Sequence, residues 1–169
     1  MRKLIVTEFV SLDGVMEAPG GESGYIHTGW VADFFTDELG EYKFREQDAS
    51  DTLLLGRRTY EGFYGAWPER DGPMAEKINT MEKVVVSTTL GAPDWQNTRV
   101  ITSPTPEAIR ELKEQDGGPI LAHGGVRFAQ ALVRADLVDE YHLLISPFAH
   151  GGGSPLFTEL TRLKLIDVK

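Results

Sequence analysis

The feature that most constrains this chain is an alternation. Short apolar, β-branched runs are each closed by a glycine or hydroxyl turn, and most are followed by a stretch with helical spacing. Leu4 to Val10 is the first such run and stops at Asp13-Gly14. Asp51 to Leu55 follows and ends at Gly56, after which Arg57 to Glu61 opens a helix. Lys83 to Ser87 comes after a short helix, Pro73 to Met81, with proline in its first turn. Arg99 to Ile101 precedes a helix capped by Thr105 with Pro106 at its first position, and Pro119 to Ala122 precedes Gly124-Gly125 and a helix from Arg127 to Ala135. Strands alternating with helices predict an α/β fold: a mixed, mostly parallel central sheet with flanking helices in three layers. Val138 to Phe148 is long and strand-like, and Leu163 to Val168 reads as a short terminal strand. The two together predict a late antiparallel portion.

Two segments depart from the alternation. Val15 to Trp30 is dominated by glycine, proline and polar residues and reads as a long loop, a candidate lid. Between Val31 and Ala49, Phe34, Phe35, Leu39 and Tyr42 recur at helical spacing among acids, which predicts one amphipathic helix. The 169 residues contain no repeat or linker and suit one domain, residues 1–169.

Composition narrows the function classes. A formal net charge of −9 repels phosphate backbones and anionic lipid, so neither nucleic acid nor a membrane surface is an expected partner. The absence of cysteine excludes a disulfide framework and a thiolate site, and is compatible with a reducing cytoplasm. The four histidines, His27, His123, His142 and His150, show no metal-ligand spacing, so no metal is expected. On so acidic a chain an anionic ligand needs a local concentration of arginines and backbone amides.

Three places offer one. Gly56-Arg57-Arg58-Thr59 joins two guanidiniums and a hydroxyl to the start of a helix, where free amides favour an anion. His123-Gly124-Gly125-Val126-Arg127-Phe128 occupies the equivalent place after another strand, with paired glycines that let a backbone approach a pyrophosphate. Ser87-Thr88-Thr89 closes the valine-rich strand with three hydroxyls. Each has an ordinary alternative: a solvated helix end, a tight turn, or a cap on the chain's exit. All three fall at carboxyl ends of expected strands, where ligands of such sheets bind.

The chain resembles the dihydrofolate-reductase-like superfamily, and within it the reductase domain of the bifunctional riboflavin-biosynthesis deaminase-reductase. The resemblance spans nearly the whole length. It is carried by Ser11-Leu12-Asp13-Gly14, Leu55 to Glu61, Val84 to Thr88, Gly124-Gly125, Leu137 to Glu140 and Ser146 to Gly153. It implies an NADPH-dependent oxidoreductase reducing a C=N or C=O bond of a small pyrimidine- or pteridine-like substrate, as 5-amino-6-(5-phosphoribosylamino)uracil reductase does. It implies Arg57 near the 2′-phosphate and Arg58 and Thr59 near the pyrophosphate. Ser87 and Thr88 would line the adenosine end. Gly124, Gly125, Val126 and Arg127 would present amides to the pyrophosphate, with Phe128 behind them. The loop from Asp13 to Trp30 would then close over the nicotinamide, and a homodimer would be in keeping with the family.

For the proton that accompanies hydride, Asp13 is the first candidate and Glu41 the second; a turn residue and a solvated helix face are their ordinary readings. The chain differs from the riboflavin reductases after its Gly-Arg-Arg-Thr turn, where Phe63 to Pro68 replaces an Asp-Asp-Pro-type stretch. Phe63, Tyr64 and Trp67 could wall a flat heterocycle or belong to the core. The family also continues past the equivalent of Lys169 into a last strand, so the resemblance implies either truncation there or a missing edge. An alternative from another class is a non-catalytic NADP(H)-binding sensor or interaction module on the same fold.

Overall fold

A computed structural model describes all 169 residues, Met1–Lys169. Six strands form one sheet: β1 (Leu4–Ser11), β2 (Thr52–Gly56), β3 (Glu82–Val86), β4 (Thr98–Ile101), β5 (Ile120–His123) and β6 (Glu140–Ser146). Their spatial order is β4-β3-β2-β5-β1-β6, and every pairing is parallel. Five α-helices flank the sheet: α1 (Asp37–Asp48), α2 (Arg57–Ala66), α3 (Pro73–Thr80), α4 (Pro106–Glu114) and α5 (Val126–Arg134).

Strand alternation sends side chains to the two faces of the sheet in turn. Leu4, Val6 and Val10 of β1, with Leu54, Val84, Ile120 and Ala122, pack on Ile109 and Leu112 of α4 and on Ala129 and Leu132 of α5. Leu53, Leu55 and Val85 pack on the other face against Tyr60 of α2, Ile78 of α3, and Trp95. Both faces are covered, which explains why the central strands read as almost continuous apolar runs.

Three expectations need correction. β6 runs parallel to β1, from Ile5 opposite Glu140 to Ser11 opposite Ser146, so the late antiparallel portion is not present in the sheet. The reason lies in α5, which carries the chain from the end of β5 back across β1, so that β6 starts from the same end of the sheet as an ordinary β-α-β crossover. The only antiparallel pairing outside the strands is an isolated bridge between Val15 and Pro155. Residues 163–168 form no strand; Leu163, Leu165, Ile166 and Val168 are exposed. The single helix expected from Val31 to Ala49 is divided into a 3-10 turn, Trp30–Phe34, and α1. Phe35 is extended between them, and Thr36 caps α1 by accepting a hydrogen bond from the Leu39 amide. No helix is long and apolar enough to cross a membrane.

Candidate functional site

Because β3, β2 and β5 are neighbours, the turns that leave their carboxyl ends are brought side by side. Gly56 ends β2 and is the N-cap of α2, with no side chain bonded to the free amides of the first turn. Arg57 reaches across to the turn after β3, donating from Nη1 to Thr89 Oγ1 at 2.8 Å and from Nε to Glu61 at 2.7 Å. Thr59 lies under the β5–α5 turn. A Cβ on Gly124 would come within 3.3 Å of the Thr59 methyl, and one on Gly125 within 3.0 Å of its hydroxyl. Both glycines have positive φ, 56° and 75°, so the turn requires glycine twice over. Phe128 packs behind Gly56, where a Cβ would meet its own Cβ at 3.2 Å.

The other expected members are also near this edge. Arg58 and Arg127 are exposed, and Val126 is the first residue of α5. Ser87 is buried and its hydroxyl accepts from the Thr89 and Leu90 amides, which caps the chain's exit from β3; Thr88 is exposed. The structure therefore joins Gly56 to Thr59, Ser87 to Thr89 and Gly124 to Phe128 along one edge of the sheet.

A second group lies beside the first and was not singled out from the sequence. Thr7 of β1 is opposite His123 of β5 on one side and His142 of β6 on the other, so three polar side chains stand in a row across adjacent strands. α1 covers the row with polar partners. Lys43 Nζ donates to Thr7 Oγ1 at 2.7 Å and to Glu46; Thr7 Oγ1 donates to Glu46 at 2.8 Å. His142 Nδ1 bonds the other Glu46 oxygen, and His123 Nε2 bonds Gln47 at 3.2 Å. From α2, Phe63 meets the His123 ring at 5.6 Å, whereas Trp67 packs on the core and Tyr64 stacks on Tyr60. β5 ends at His123, so the row borders the gap between β2 and β1 beyond that end, where open α/β sheets bind ligands.

Charge in the row is sharply assigned. Burial alone would push Glu46 up, but hydrogen bonds from His142 and Lys43 hold its pKa down at about 2. Burial lowers the pKa of Lys43, with Glu46 opposing the shift. Burial and the nearby Lys43 ammonium depress His123 to about 3, so its ring is neutral. Glu8, the next residue along β1, is different. Its side chain shares the face of Val6 and Val10 rather than that of Thr7, and one carboxyl oxygen, Oε1, has no partner. Burial pushes its pKa up to about 8, although Lys43 and the Gly124 amide pull the other way. In the sequence these groups are marked only by Thr7 and Glu8, which interrupt an apolar central strand, and by His123 at the head of the glycine turn.

The two expected proton donors occupy other places. The Asp13 carboxylate accepts from Ser11 Oγ at 2.5 Å, from the His150 amide at 3.1 Å and from the Gly151 amide at 2.8 Å. The Ser11 hydroxyl and the Gly151 amide hold it ionised, with a pKa of about 2. An acid so fixed in its anionic form is a latch between loops and a poor donor. The Glu41 side chain is 71% exposed and ion-paired only with Arg45, at 3.5 Å, on the wet face of α1.

The latch joins the expected lid to the loop after β6. Tyr25 Oη donates to the Gly152 carbonyl at 2.8 Å, the Ser154 amide donates to Glu17 at 3.0 Å, and Trp30 Nε1 donates to the Glu17 carbonyl at 2.9 Å. Between the loops lies an open cavity of about 630 Å³, lined among others by His27, Trp30, Asp33, Phe34, Phe148 and His150.

The chain matches the sequence profile of the RibD C-terminal domain over residues 2–169. Two Bacillus subtilis (strain 168) proteins, the uncharacterized proteins YyaP and YwjB, are each 28% identical to it. The alignments cover 99% of this chain, and 88% and 90% of the two relatives. Among solved structures, a putative riboflavin biosynthesis protein from Shewanella sp. PV-4 superposes with a TM-score of 0.66 at 22% identity, over 95% of this chain and 86% of that one. A diaminohydroxyphosphoribosylaminopyrimidine deaminase/5-amino-6-(5-phosphoribosylamino)uracil reductase from Thermotoga maritima gives 0.61 at 18% identity, over 98% of this chain and 51% of the larger protein. Both likenesses establish the fold.

Proposed function

The chain belongs to the RibD C-terminal domain family, and from that membership together with the site's geometry we infer that it is an NADPH-dependent reductase of a small heterocyclic substrate. The observation that carries the reading is the convergence of three turns. Arg57 reaches the hydroxyl of Thr89, and Thr59 lies directly beneath the paired glycines. That arrangement concentrates cationic and amide donors at one edge of a molecule whose net charge is −9.

The residues present suit the cofactor. Gly124 and Gly125 turn the chain into α5 with positive φ, and no side chain caps the first-turn amides of that helix, which suits them to a pyrophosphate. Arg57 offers a planar donor fork to the 2′-phosphate, and Arg58, Thr59, Val126 and Arg127 add donors for the pyrophosphate. Ser87 and Thr88 lie toward the adenosine end, and Phe128 backs the cradle. When bound, NADPH supplies the hydride. Thr7, already bonded to Lys43 and Glu46, fixes the row, and the remaining ring nitrogens of His123 and His142 provide hydrogen-bonding groups for the polar edge of a pyrimidine- or pteridine-like ring, with Phe63 as an apolar wall. With Asp13 tied up as an anion, Lys43 is the group we assign to give a proton to the substrate atom that gains electrons. Its ammonium is made more acidic by burial and is placed by Thr7 and Glu46.

Titration with NADPH and NADH, followed by protein fluorescence or calorimetry, tests this reading. NADPH is expected to bind in the micromolar range or tighter. Arg57→Ala is expected to weaken it by roughly 10- to 100-fold, the worth of a charge-assisted phosphate contact, with little effect on NADH. No binding of NADPH by the wild-type chain would end the cofactor assignment. Binding without turnover of any C=N or C=O substrate would favour a sensor.

A further inference from the structure

Glu8 is the one buried ionisable group beside the β5–α5 turn for which neither the packing nor the proposed phosphate cradle has a use. It is 4% exposed, and Oε1 is sealed from water without a hydrogen-bond partner. Its neighbours in the fold place it well. Thr7 is paired with His123, the last residue of β5, so Glu8 is the first residue of β1 beyond that pairing and lies alongside Gly124. It stands on the α5 face of the sheet, opposite the face on which α1 covers the polar row. Glu8 is thus at the end of the glycine turn that the cofactor reading assigns to the pyrophosphate, on the side away from the expected substrate.

Few charges reach it. Lys43 and Glu46 act from α1 and Glu22 from the loop after β1; the Gly124 amide acts from the β5–α5 turn. Lys43 and the amide favour the anion, while Glu22, Glu46 and above all burial favour the neutral acid. A neutral carboxyl has one O–H donor and one carbonyl acceptor side by side. That pair is complementary to a primary amide, which offers a carbonyl acceptor beside N–H donors. A carboxylate has acceptors only and could satisfy half of such a partner.

We propose that Glu8, as the neutral acid, holds the carboxamide of the nicotinamide ring through a paired O–H···O and N–H···O contact. The proposal rests on the cofactor reading above. Glu8 is then a cofactor-positioning residue that fixes the rotation of the ring, and its orphaned oxygen in the free protein is the acceptor awaiting the amide N–H. No bond is made or broken. The grip is lost when Glu8 ionises, so the affinity for the nicotinamide half of the cofactor falls in alkali.

The test is calorimetric titration of the full chain with NADPH and, separately, with 2′,5′-ADP, at about pH 6.5 and about pH 9. The fragment keeps the 2′-phosphate and lacks the nicotinamide, so it controls for titration of the phosphate and of the arginines. For the wild-type chain, NADPH affinity is expected to fall about tenfold between the two pH values beyond any change in 2′,5′-ADP affinity, as a group titrating near 8 requires. Glu8→Gln retains a donor and an acceptor. It should bind NADPH within about threefold of the wild type at pH 6.5 and lose the alkaline fall. Glu8→Ala should weaken NADPH by roughly tenfold, the cost of an unpaired amide, and leave 2′,5′-ADP unchanged. If Glu8→Gln shows the same alkaline fall as the wild type, or both variants match it at every pH while 2′,5′-ADP still binds, the proposal is overturned and the cofactor reading survives. If the wild-type chain binds neither ligand, both fall together.

Discussion

The carboxyl end of β1 holds two acids in opposite states. Glu8, inside the strand, is buried with one oxygen unpartnered and is pushed up to about 8; Asp13, just past the strand's end, accepts three hydrogen bonds and is held at about 2. Glu46 shows that burial alone does not decide the matter. It is as hidden as Glu8, yet Lys43, Thr7 and His142 surround it with partners and its pKa stays at about 2. Protonation here follows the supply of donors. The acid with a full set works as a structural anion, and the acid without one stays neutral.

The comparison is broken most forcefully at Glu46. Glu46→Ala leaves the Lys43 ammonium buried with Thr7 as its remaining partner, and a loss of about 3–5 kcal/mol of stability is expected, readable by urea denaturation. Replacement by Gln should cost less, because the amide oxygen still accepts from Lys43. A loss under about 1 kcal/mol in Glu46→Ala would mean that the buried pair is effectively hydrated.

Glu8 should act in the opposite sense. A pKa of about 8 in the folded chain against an ordinary 4.5 means that the unfolded chain gives up its proton first. Stability therefore falls as pH rises from about 4.5 to about 8 and levels off beyond. Glu8→Gln removes that slope and is expected to gain on the order of a few kcal/mol relative to the wild type at pH 8 to 9. Denaturation curves at pH 5, 7 and 9 that stay parallel for the two chains would contradict a neutral Glu8.

The smallest effect is expected at Asp13. Its pKa is lowered from 3.8 to about 2, so the latch is intact above about pH 4 and lost as pH falls toward 2. At neutral pH, Asp13→Asn should speed amide exchange at His150 and Gly151 and through the loop from Val15 to Trp30, with the sheet unaffected. Uniform acceleration across the sheet would show that Asp13 supports the whole fold rather than two loops.

Much of the architecture was legible from residue order, because its signals are local. Alternating apolar runs, the Thr105–Pro106 cap and the glycines after β2 and β5 each act within a few positions of themselves. So did the phosphate-suited turns, which are made of consecutive residues. The split of the expected long helix was missed because Thr36 competes as a cap with a helical pattern that continues through it. Glu41 lies on the exposed face of α1, whereas Asp13 bridges from the end of β1 to the amides of His150 and Gly151, a contact that residue order alone does not show. The row of Thr7, His123 and His142 left no pattern, since its members come from three strands far apart in the chain.

By itself the sequence determined which segments could be strands and helices, where they would turn, and that an acidic chain would have to gather its cations locally. Only the tertiary structure decided that β5 inserts between β2 and β1 and that β6 lies parallel at the edge. It also decided that one glutamate would be neutral and another charged. The physical reason is range: backbone preference is set by nearest neighbours, whereas strand order and the protonation of a buried group depend on what distant segments bring to the same place.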